Sequence, residues 1–256
     1  NYFTLDKELI INSEGYKIIR FDYLKKIEKY LEAFKYFENK FRHVETKNMK
    51  KNSLFFHSEI SFENNFLRDV VSIFLPSISE YLNILPVVSA ANLWYSEPTN
   101  NQSNCMGSQL PHFDYEDLKQ IKMYLALNDI NDGEGPMHVL DKNQSAIIKR
   151  NLNDKKIEID TKISEKFFSN YNFKKVLLKK GDVFLVDTSS CYHFGGRCHD
   201  NPRKQVMLQF NDPFCGIYPL IRFKKNYEDL VWDFAKFSYP NIKKLKIKNL
   251  KNFKIY

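Results

Sequence analysis

Apolar side chains in the first third of the chain recur at intervals of three and four residues. The stripe begins after Asp22, a candidate N-cap, and continues to Phe41, which predicts an amphipathic helix. A second helix is predicted over residues 65–75, where Pro76 should end or kink it because proline lacks the N–H that a helix uses. A capping-box pattern then predicts a short third helix over residues 77–85.

Beyond residue 86 the pattern changes to short apolar segments that are separated by polar turns. The sequence Asn-Asp-Gly-Glu-Gly-Pro at 131–136 is a strong turn signal, and a further helix is predicted near 163–173. Helices followed by many short strands indicate an α+β fold, an antiparallel sandwich or barrel with helices on one side. The predicted strands are 87–95, 121–127, 137–140, 176–178, 181–186 and 204–210.

The composition is that of a globular protein. Of 256 residues, 43% are hydrophobic and 27% are charged; no apolar run approaches the roughly 18 residues that span a bilayer, and no basic-then-apolar signal segment is seen at the N-terminus. The net charge of +8 rests on lysines spread along the chain, which is more typical of a solvated surface than of a nucleic-acid interface. Four cysteines without a Cys-x-x-Cys pair indicate a reducing, cytoplasmic compartment.

Two segments carry side chains that could hold a metal. In the first, His112 and Asp114 are two residues apart, so in an extended strand both point to one face. In the second, a strand over 181–186 is expected to deliver His193 at its end, before a Gly-rich turn and Arg203 on the neighbouring strand. Two imidazoles and a carboxylate leave positions open on a metal, which suits non-haem Fe(II) oxygenases. The planar fork of Arg203 offers a cation for the distal carboxylate of a 2-oxo acid.

The ordered set of motifs resembles the phytanoyl-CoA dioxygenase-like family of Fe(II)- and 2-oxoglutarate-dependent oxygenases. The resemblance runs from about residue 94 to residue 213. The chain departs from the family at 140–144, where Leu-Asp-Lys-Asn-Gln replaces a segment that often ends in Pro-Gly-Ser-His. The matching motifs are His112-x-Asp114, the strand and turn from Tyr124 to Asp129, Glu134-Gly135-Pro136, His193 and Arg203.

The resemblance implies a double-stranded β-helix, which is a jelly-roll core with N-terminal helices packed on one sheet. We expect a single domain over 1–256, with a helical part at about 1–85, the jelly-roll core at about 86–215 and a C-terminal extension over 216–256. The resemblance also implies an enzyme that uses Fe(II), 2-oxoglutarate as co-substrate and dioxygen.

The roles that the resemblance implies fall on a few side chains. His112, Asp114 and His193 would bind Fe(II), and the same three residues would form the catalytic centre. Arg203 would bind the distal carboxylate of 2-oxoglutarate, with help from Tyr124. Gln109 and Arg197 are weaker candidates for contact to the co-substrate or the substrate, and Trp94 and Asn92 could face the pocket.

The expected reaction is hydroxylation of a small polar metabolite, such as a sugar, a sugar nucleotide or an amino-acid-like molecule. The reason is that the loops near the motifs are rich in Asn, Gln, Ser and Asp. The long polar loop over 96–110 is either a lid beside the site or a surface insertion. The basic run over 243–254 is either a solvated edge element or an amphipathic segment for a membrane or polyanion.

Several alternatives stay open at the level of sequence. Desaturation or ring formation could replace hydroxylation, whereas Asp114 argues against halogenation because a halide would need the carboxylate's position on iron. A cupin-like metal protein without a 2-oxo acid and a catalytically silent binding module share the same fold. A zinc site is a further alternative, although its spacing is not the usual paired one; its ligands would be Cys191, His193, Cys198 and His199.

Overall fold

The computed structural model of the chain describes residues 6–42, 46–51, 55–99, 107–114, 117, 119–151 and 171–213. None of the helices in these ranges combines the length and the apolarity that crossing a bilayer requires. The helices are α1 Phe21–Leu24, α2 Glu28–Arg42, α3 Asn65–Leu82 and α4 Lys142–Asn151. The strands are β1 Tyr16–Ile19, β2 Lys50–Lys51, β3 Phe56–Glu59, β4 Val87–Ser96, β5 Gln120–Ala126, β6 Met137–Val139, β7 Lys174–Lys175, β8 Val183–Val186, β9 His193–Gly195 and β10 Arg203–Asn211.

The strands form two antiparallel sheets. The larger sheet has the order β1-β8-β5-β10-β4-β3-β2, and the smaller one has the order β7-β6-β9. Side chains from both sheets meet in one apolar cluster, to which Tyr124, Phe184 and Met207 come from the larger sheet and Val139 from the smaller. The predicted α+β fold with a double-stranded β-helix core is therefore confirmed.

The helices cover the other face of the larger sheet. Phe37 of α2 and Phe74 of α3 are fully buried in the same core as Ile121, Leu125 and Leu208 of the sheet. Burying a side chain of this size stabilises the fold by about 1.5–3 kcal/mol. Two central strands, β5 and β10, are thus covered on both faces, by helices on one and by the smaller sheet on the other.

The first predicted helix is broken into two. The chain bends after α1, and the N-cap of α1 is Arg20 in an extended conformation rather than Asp22. The capping carboxylate comes from far away in sequence, because Asp182 accepts a hydrogen bond from the backbone N–H of Phe21 at 2.8 Å. The same carboxylate pairs with Arg20 at 2.6 Å, a tertiary contact that the local pattern does not contain.

Of the two outcomes predicted at Pro76, an end of the helix is wrong, since α3 continues through the proline to Leu82 and the separate helix predicted over 77–85 is part of it. Phe74 and Ile78, on either side of the proline, are fully buried, and this packing offsets the loss of one helical hydrogen bond. The Ser77 hydroxyl donates to the carbonyl of Leu9 instead of beginning a new helix. The helix ends at Asn83, which adopts a left-handed conformation with φ 51°.

The strand predictions over 87–95, 121–127, 137–140, 181–186 and 204–210 are confirmed to within about two residues. The strand predicted over 176–178 is not formed, and only an isolated bridge between Leu178 and Ile130 is found there.

Several elements were not predicted from the pattern. Strands β1, β2 and β3 lie in the part expected to be helical, and α4 occupies a Lys- and Asn-rich stretch. Of the helix predicted near 163–173, residues 171–173 are not helical, and the rest lies outside the described residues. The extension over 216–256, including the basic run, lies outside them as well.

Candidate metal centre

His112, Asp114 and His193 are held together by backbone hydrogen bonds between two loops. His112 and His193 form an isolated antiparallel bridge, in which each N–H donates to the other's carbonyl at 3.0 and 3.1 Å. The N–H of Asp114 donates to the carbonyl of Thr188 at 2.9 Å. Backbone hydrogen bonds therefore hold the His-x-Asp segment against residues 188–193, which lead into β9.

The three side chains converge on one point. The Nε2 atoms of His112 and His193 lie 3.6 Å from Oδ1 and Oδ2 of Asp114, respectively. One ligand atom from each residue lies within 4.8 Å of the others, and within the described ranges no other group of three or more such residues does so. This spacing and donor set fit a single metal ion with open positions.

The orientation of each imidazole is fixed by a backbone carbonyl near its Nδ1 atom. Nδ1 of His112 lies 2.7 Å from the carbonyl of Leu110, and Nδ1 of His193 lies 3.0 Å from that of Cys191. With the proton on Nδ1, each ring donates to its carbonyl and turns the lone pair of Nε2 toward Asp114. This arrangement is the usual way in which proteins fix the tautomer of a metal-binding histidine.

The electrostatics of the site act on the protonation states of His193 and Asp114. Burial lowers the pKa of His193 to about 4, against the opposing effect of Asp114, so the imidazole is neutral near pH 7. Burial alone would raise the pKa of Asp114, but the charge of Lys122, the proximity of His193 and hydrogen bonds hold that pKa well below its usual range. The carboxylate is therefore ionised.

Lys122 and Gln120 complete the surroundings of the carboxylate, and the sequence analysis missed both. Lys122 Nζ lies 2.6 Å from Oδ2 of Asp114, and Nε2 of Gln120 donates to the same oxygen at 3.3 Å. Both side chains project from β5 on the face that also carries Tyr124. A lysine in the middle of an otherwise apolar strand was the available signal, because a buried charge requires a partner.

A cavity of about 350 Å³ extends from the metal centre between the two sheets. Arg203 lines it together with His112, Asp114, Lys122 and His193. The prediction that Arg203 lies on the strand beside His193 is wrong, because β10 belongs to the larger sheet and β9 to the smaller. The two residues instead lie on facing walls of the cavity.

The Arg203 guanidinium is held at its outer end. Nη1 donates to the carbonyl of Gly196 at 3.3 Å, and Nη2 donates to Oγ of Ser96 at 3.4 Å. Its Nε is buried and makes no hydrogen bond within the described residues. Burial lowers the pKa of Arg203 from its ordinary value, yet no carboxylate of the described residues pairs with it. An anion in the cavity would satisfy this group.

The other predicted contacts lie around the same space. Tyr124, Gln109, Arg197 and Trp94 all line the cavity, with the Trp94 and Tyr124 ring centroids 5.9 Å apart. Asn92 is buried on the cavity side of β4, opposite Met207, but it is not among the described residues that line the cavity.

The loop over 96–110 contributes to the cavity wall. Glu97, Thr99, Gly107 and Ser108 line the cavity beside Gln109, while residues 100–106 lie outside the described ranges. A hydrogen bond from Thr99 N–H to the carbonyl of Cys198, at 3.0 Å, ties one end of the loop to the opposite wall.

The Gly-rich turn is explained by a close approach of backbones. Gly135 has φ +65°, and a Cβ there would lie 2.4 Å from the carbonyl carbon of Arg197. A Cβ on Gly196 would lie 2.6 Å from the carbonyl of Pro136. The two turns can pack only because both lack side chains, and this packing places Arg197 and Cys198 at the cavity.

The Cys/His zinc alternative does not fit the geometry. The Cys191 thiol is directed to the carbonyl of Glu14 at 3.5 Å, and the Cys198 thiol to the carbonyl of Glu134 at 3.1 Å. His193 instead joins His112 and Asp114. Burial raises the pKa values of both cysteines, so neither is a thiolate ready for a metal. Cys105 and Cys215 lie outside the described residues.

The described residues form a jelly-roll fold, and its cavity carries a His-Asp-His group whose donor atoms suit a metal ion. No family model matches the sequence, and no curated protein matches it either. Solved structures do match in fold. The epimerase SnoN, in complex with Fe³⁺, α-ketoglutarate and nogalamycin RO, is 11% identical with a TM-score of 0.55, over 78% of this chain and 80% of SnoN.

Two further structures are similar in the same way. HygX from Streptomyces hygroscopicus, with nickel and 2-oxoglutarate bound, is 12% identical with a TM-score of 0.57, over 82% of this chain and 89% of HygX. EctD from S. alaskensis, with bound Fe, is 12% identical with a TM-score of 0.54, over 82% of this chain and 76% of EctD. At such low identities the likeness establishes the shared fold.

Proposed function

We propose that this chain is a non-haem Fe(II)- and 2-oxoglutarate-dependent oxygenase of the phytanoyl-CoA dioxygenase-like kind, built as a single domain. The observation that carries the proposal is a single cavity lined by a His-Asp-His group on one side and by Arg203 on the other. The guanidinium of Arg203 is buried and pairs with no carboxylate of the described residues. The donor set suits Fe(II) with open positions. The Nε of Arg203, which has no hydrogen-bond acceptor among the described residues, suits the distal carboxylate of the 2-oxo acid.

In this proposal the metal is held by His112, Asp114 and His193. Arg203 binds the distal carboxylate of the co-substrate and so orients its other end toward the metal. Bound Fe(II) and the 2-oxo acid would together supply the activation of dioxygen, with release of succinate and CO₂, for attack on a C–H bond of the substrate. The chain's own contribution is placement. The carbonyls of Leu110 and Cys191 fix the two imidazoles, so little reorganisation is needed when the metal binds.

The aromatic wall of the cavity would exclude bulk water. Trp94 packs against Phe55 with ring centroids 4.4 Å apart and against Tyr124 at 5.9 Å, and Tyr124 stacks on Phe184 at 6.4 Å. All four of these aromatic residues line the cavity. Exclusion of water strengthens the interaction of Arg203 with an anion, because the local dielectric constant is low.

For the substrate we propose a small polar metabolite, such as a sugar, a sugar nucleotide or an amino-acid-like molecule. The part of the cavity near the 96–110 loop offers Glu97, Thr99, Ser108, Gln109 and Arg197 as polar contacts. HygX has also been solved with hygromycin B bound, which supports a small molecule as the substrate. We keep the cytoplasm as the proposed location, in keeping with the free thiols of Cys191 and Cys198.

A second outcome of the same chemistry has specific support. SnoN is described as an epimerase and SnoK as a carbocyclase, and both are α-ketoglutarate-dependent. SnoK has a TM-score of 0.53 to this chain at 13% identity. Stereochemical inversion or ring formation is therefore the alternative to hydroxylation. All of these outcomes require the same metal centre and the same co-substrate.

The test begins with the purified chain under anaerobic conditions. Fe(II) should bind at one ion per chain, and adding 2-oxoglutarate should produce a metal-to-ligand charge-transfer band, whereas succinate should not. Admission of dioxygen should then release succinate, faster when the substrate is present in a screened metabolite pool. A chain that binds Fe(II) without this band would be a cupin-like metal protein, and a chain that binds no metal would be a binding module; either result would contradict the proposal.

A further inference from the structure

Lys122 places a fixed positive charge inside the candidate metal centre. The residue is only 8% exposed, and its Nζ lies 2.6 Å from Oδ2 of Asp114. The Nε2 of His193 lies 3.6 Å from the same oxygen. A cation bound between the histidines and Asp114 would therefore share this carboxylate with the ammonium of Lys122.

The pair changes the charge of the site. Two neutral imidazoles and one carboxylate alone would offer a metal dication a net charge of −1. With Lys122 the protein contributes a net charge of zero at the same place. Because the surroundings are buried, the repulsion between the ammonium and a dication is poorly screened. The ammonium thus weakens the attraction of Asp114 for a metal that arrives alone.

We propose that Lys122 makes metal binding depend on an anionic chelating ligand, so that the metal and the 2-oxo acid bind cooperatively. The inference rests on the proposed function. The carboxylate of a chelating 2-oxo acid restores the negative charge that Lys122 cancels, and the ammonium lies in the wall of the cavity that receives it. By linkage, the metal then raises the affinity for the 2-oxo acid by the same factor as the reverse.

The charge of Lys122 can be separated from its role as a hydrogen-bond donor. Gln120 also donates to Oδ2 of Asp114, at 3.3 Å, and is itself anchored on Oγ1 of Thr188 at 2.8 Å. The backbone N–H of Asp114 is held by the carbonyl of Thr188. These contacts should keep the carboxylate oriented when the ammonium is removed. Lys122→Gln therefore removes the charge, and Lys122→Arg retains it.

The experiment measures metal affinity rather than turnover. Anaerobic Fe(II), or Co(II) as a stable substitute, is titrated into the wild type and both variants, with and without saturating 2-oxoglutarate. Lys122→Gln should bind the metal alone more tightly than the wild type, and its gain from 2-oxoglutarate should be smaller, by a factor within the roughly 5- to 150-fold range that is typical of coupling between sites. Lys122→Arg should retain the wild-type gain.

Three results would overturn the inference. The first is a Lys122→Gln variant that binds the metal alone no better than the wild type, which would give Lys122 a merely orienting role. The second is an undiminished gain from 2-oxoglutarate in that variant. The third is a wild type that binds no metal, which would remove the proposed function as well. Circular dichroism checks folding, and Lys122→Met provides the same comparison if Lys122→Gln does not fold.

Discussion

The two faces of β5 differ in what they contact, since one packs against the helices and the other borders the cavity. Ile121 and Leu125 are fully buried against the helices. The alternate residues Gln120, Lys122 and Tyr124 face the other way, where Lys122 and Tyr124 line the cavity. Because side chains alternate along a strand, every second residue of β5 packs in the core and stabilises the fold, and the residues between them face the cavity.

Strand β10 shows the same division. Val206 and Leu208 lie in the helix-covered core, whereas Arg203 and Gln205 line the cavity. The helix-covered face requires only apolar side chains of the right volume. The cavity face instead carries polar side chains that border the candidate metal centre, so a change on it should alter binding more than it alters stability.

Behind the metal centre, the cavity face carries a network of buried amides. Nδ2 of Asn211 donates to Oε1 of Gln120 at 3.2 Å, and Nε2 of Gln209 donates to Oδ1 of Asn211 at 3.0 Å. Gln120 in turn reaches Asp114 and Thr188. The network connects β10 to the loop that carries Asp114. It therefore helps to position the Asp114 carboxylate and adds no apolar burial.

The largest expected effect is on the metal centre itself. His112→Ala and Asp114→Ala should each abolish stoichiometric Fe(II) binding, since loss of a direct ligand costs more than the roughly 10–100-fold caused by loss of an outer partner. Anaerobic equilibrium dialysis measures this. Recovery of zinc or nickel from a preparation is compatible with the assignment, because such sites bind those metals more tightly than Fe(II). Wild-type affinity in both variants would disprove the triad.

The next largest effect is expected at Arg203, at the beginning of the cavity face of β10. Arg203→Ala would leave the distal carboxylate of 2-oxoglutarate buried and unpaired, which costs about 2–5 kcal/mol, or roughly 30-fold to several thousandfold in affinity. Fe(II) binding should be retained. Arg203→Lys should recover only part of the affinity, because a point charge cannot form two parallel hydrogen bonds.

Arg197→Ala is the matched control for Arg203, since both arginines line the cavity and only Arg203 has a buried Nε without a hydrogen bond in the described part of the chain. It should change 2-oxoglutarate affinity much less, as followed by the charge-transfer band of the anaerobic Fe(II) complex. If Arg197→Ala abolished the band while Arg203→Ala left it unchanged, the co-substrate would be bound by the other arginine.

A substitution on the helix-covered face of β10 should lower stability and leave ligand affinity unchanged. Leu208 is fully buried, and Leu208→Ala should lower the free energy of unfolding by about 2–5 kcal/mol because a cavity remains in a packed core. Urea denaturation of the metal-free protein measures this without a contribution from bound ligand. Fe(II) and 2-oxoglutarate affinities of the folded variant should stay near wild type. A comparable loss of both would show that the two faces are not independent.

The same division explains what the sequence could predict. Central strands are marked by apolar runs, and the candidate metal ligands by an ordered set of motifs. Strands β4, β5 and β10 could therefore be located, and His112, Asp114 and His193 could be grouped. The partner of Lys122 could not be found, because Asp114 reaches it only through tertiary contacts such as the hydrogen bond of its N–H to the carbonyl of Thr188. The beginning of α1 was misplaced for a similar reason, since its capping carboxylate comes from Asp182.

The smallest expected effect is at the two buried cysteines, whose thiols are directed to the carbonyls of Glu14 and Glu134 rather than to the candidate metal ligands. Cys191 supports His193 and Cys198 holds Thr99, but both do so through their backbone carbonyls, which a side-chain substitution leaves in place. Cys191→Ser combined with Cys198→Ser should therefore keep Fe(II) affinity within about tenfold of wild type, the low end of the effect of an outer partner. The same anaerobic dialysis measures it. Loss of the metal in this variant would favour the Cys/His zinc site over the site formed by His112, Asp114 and His193.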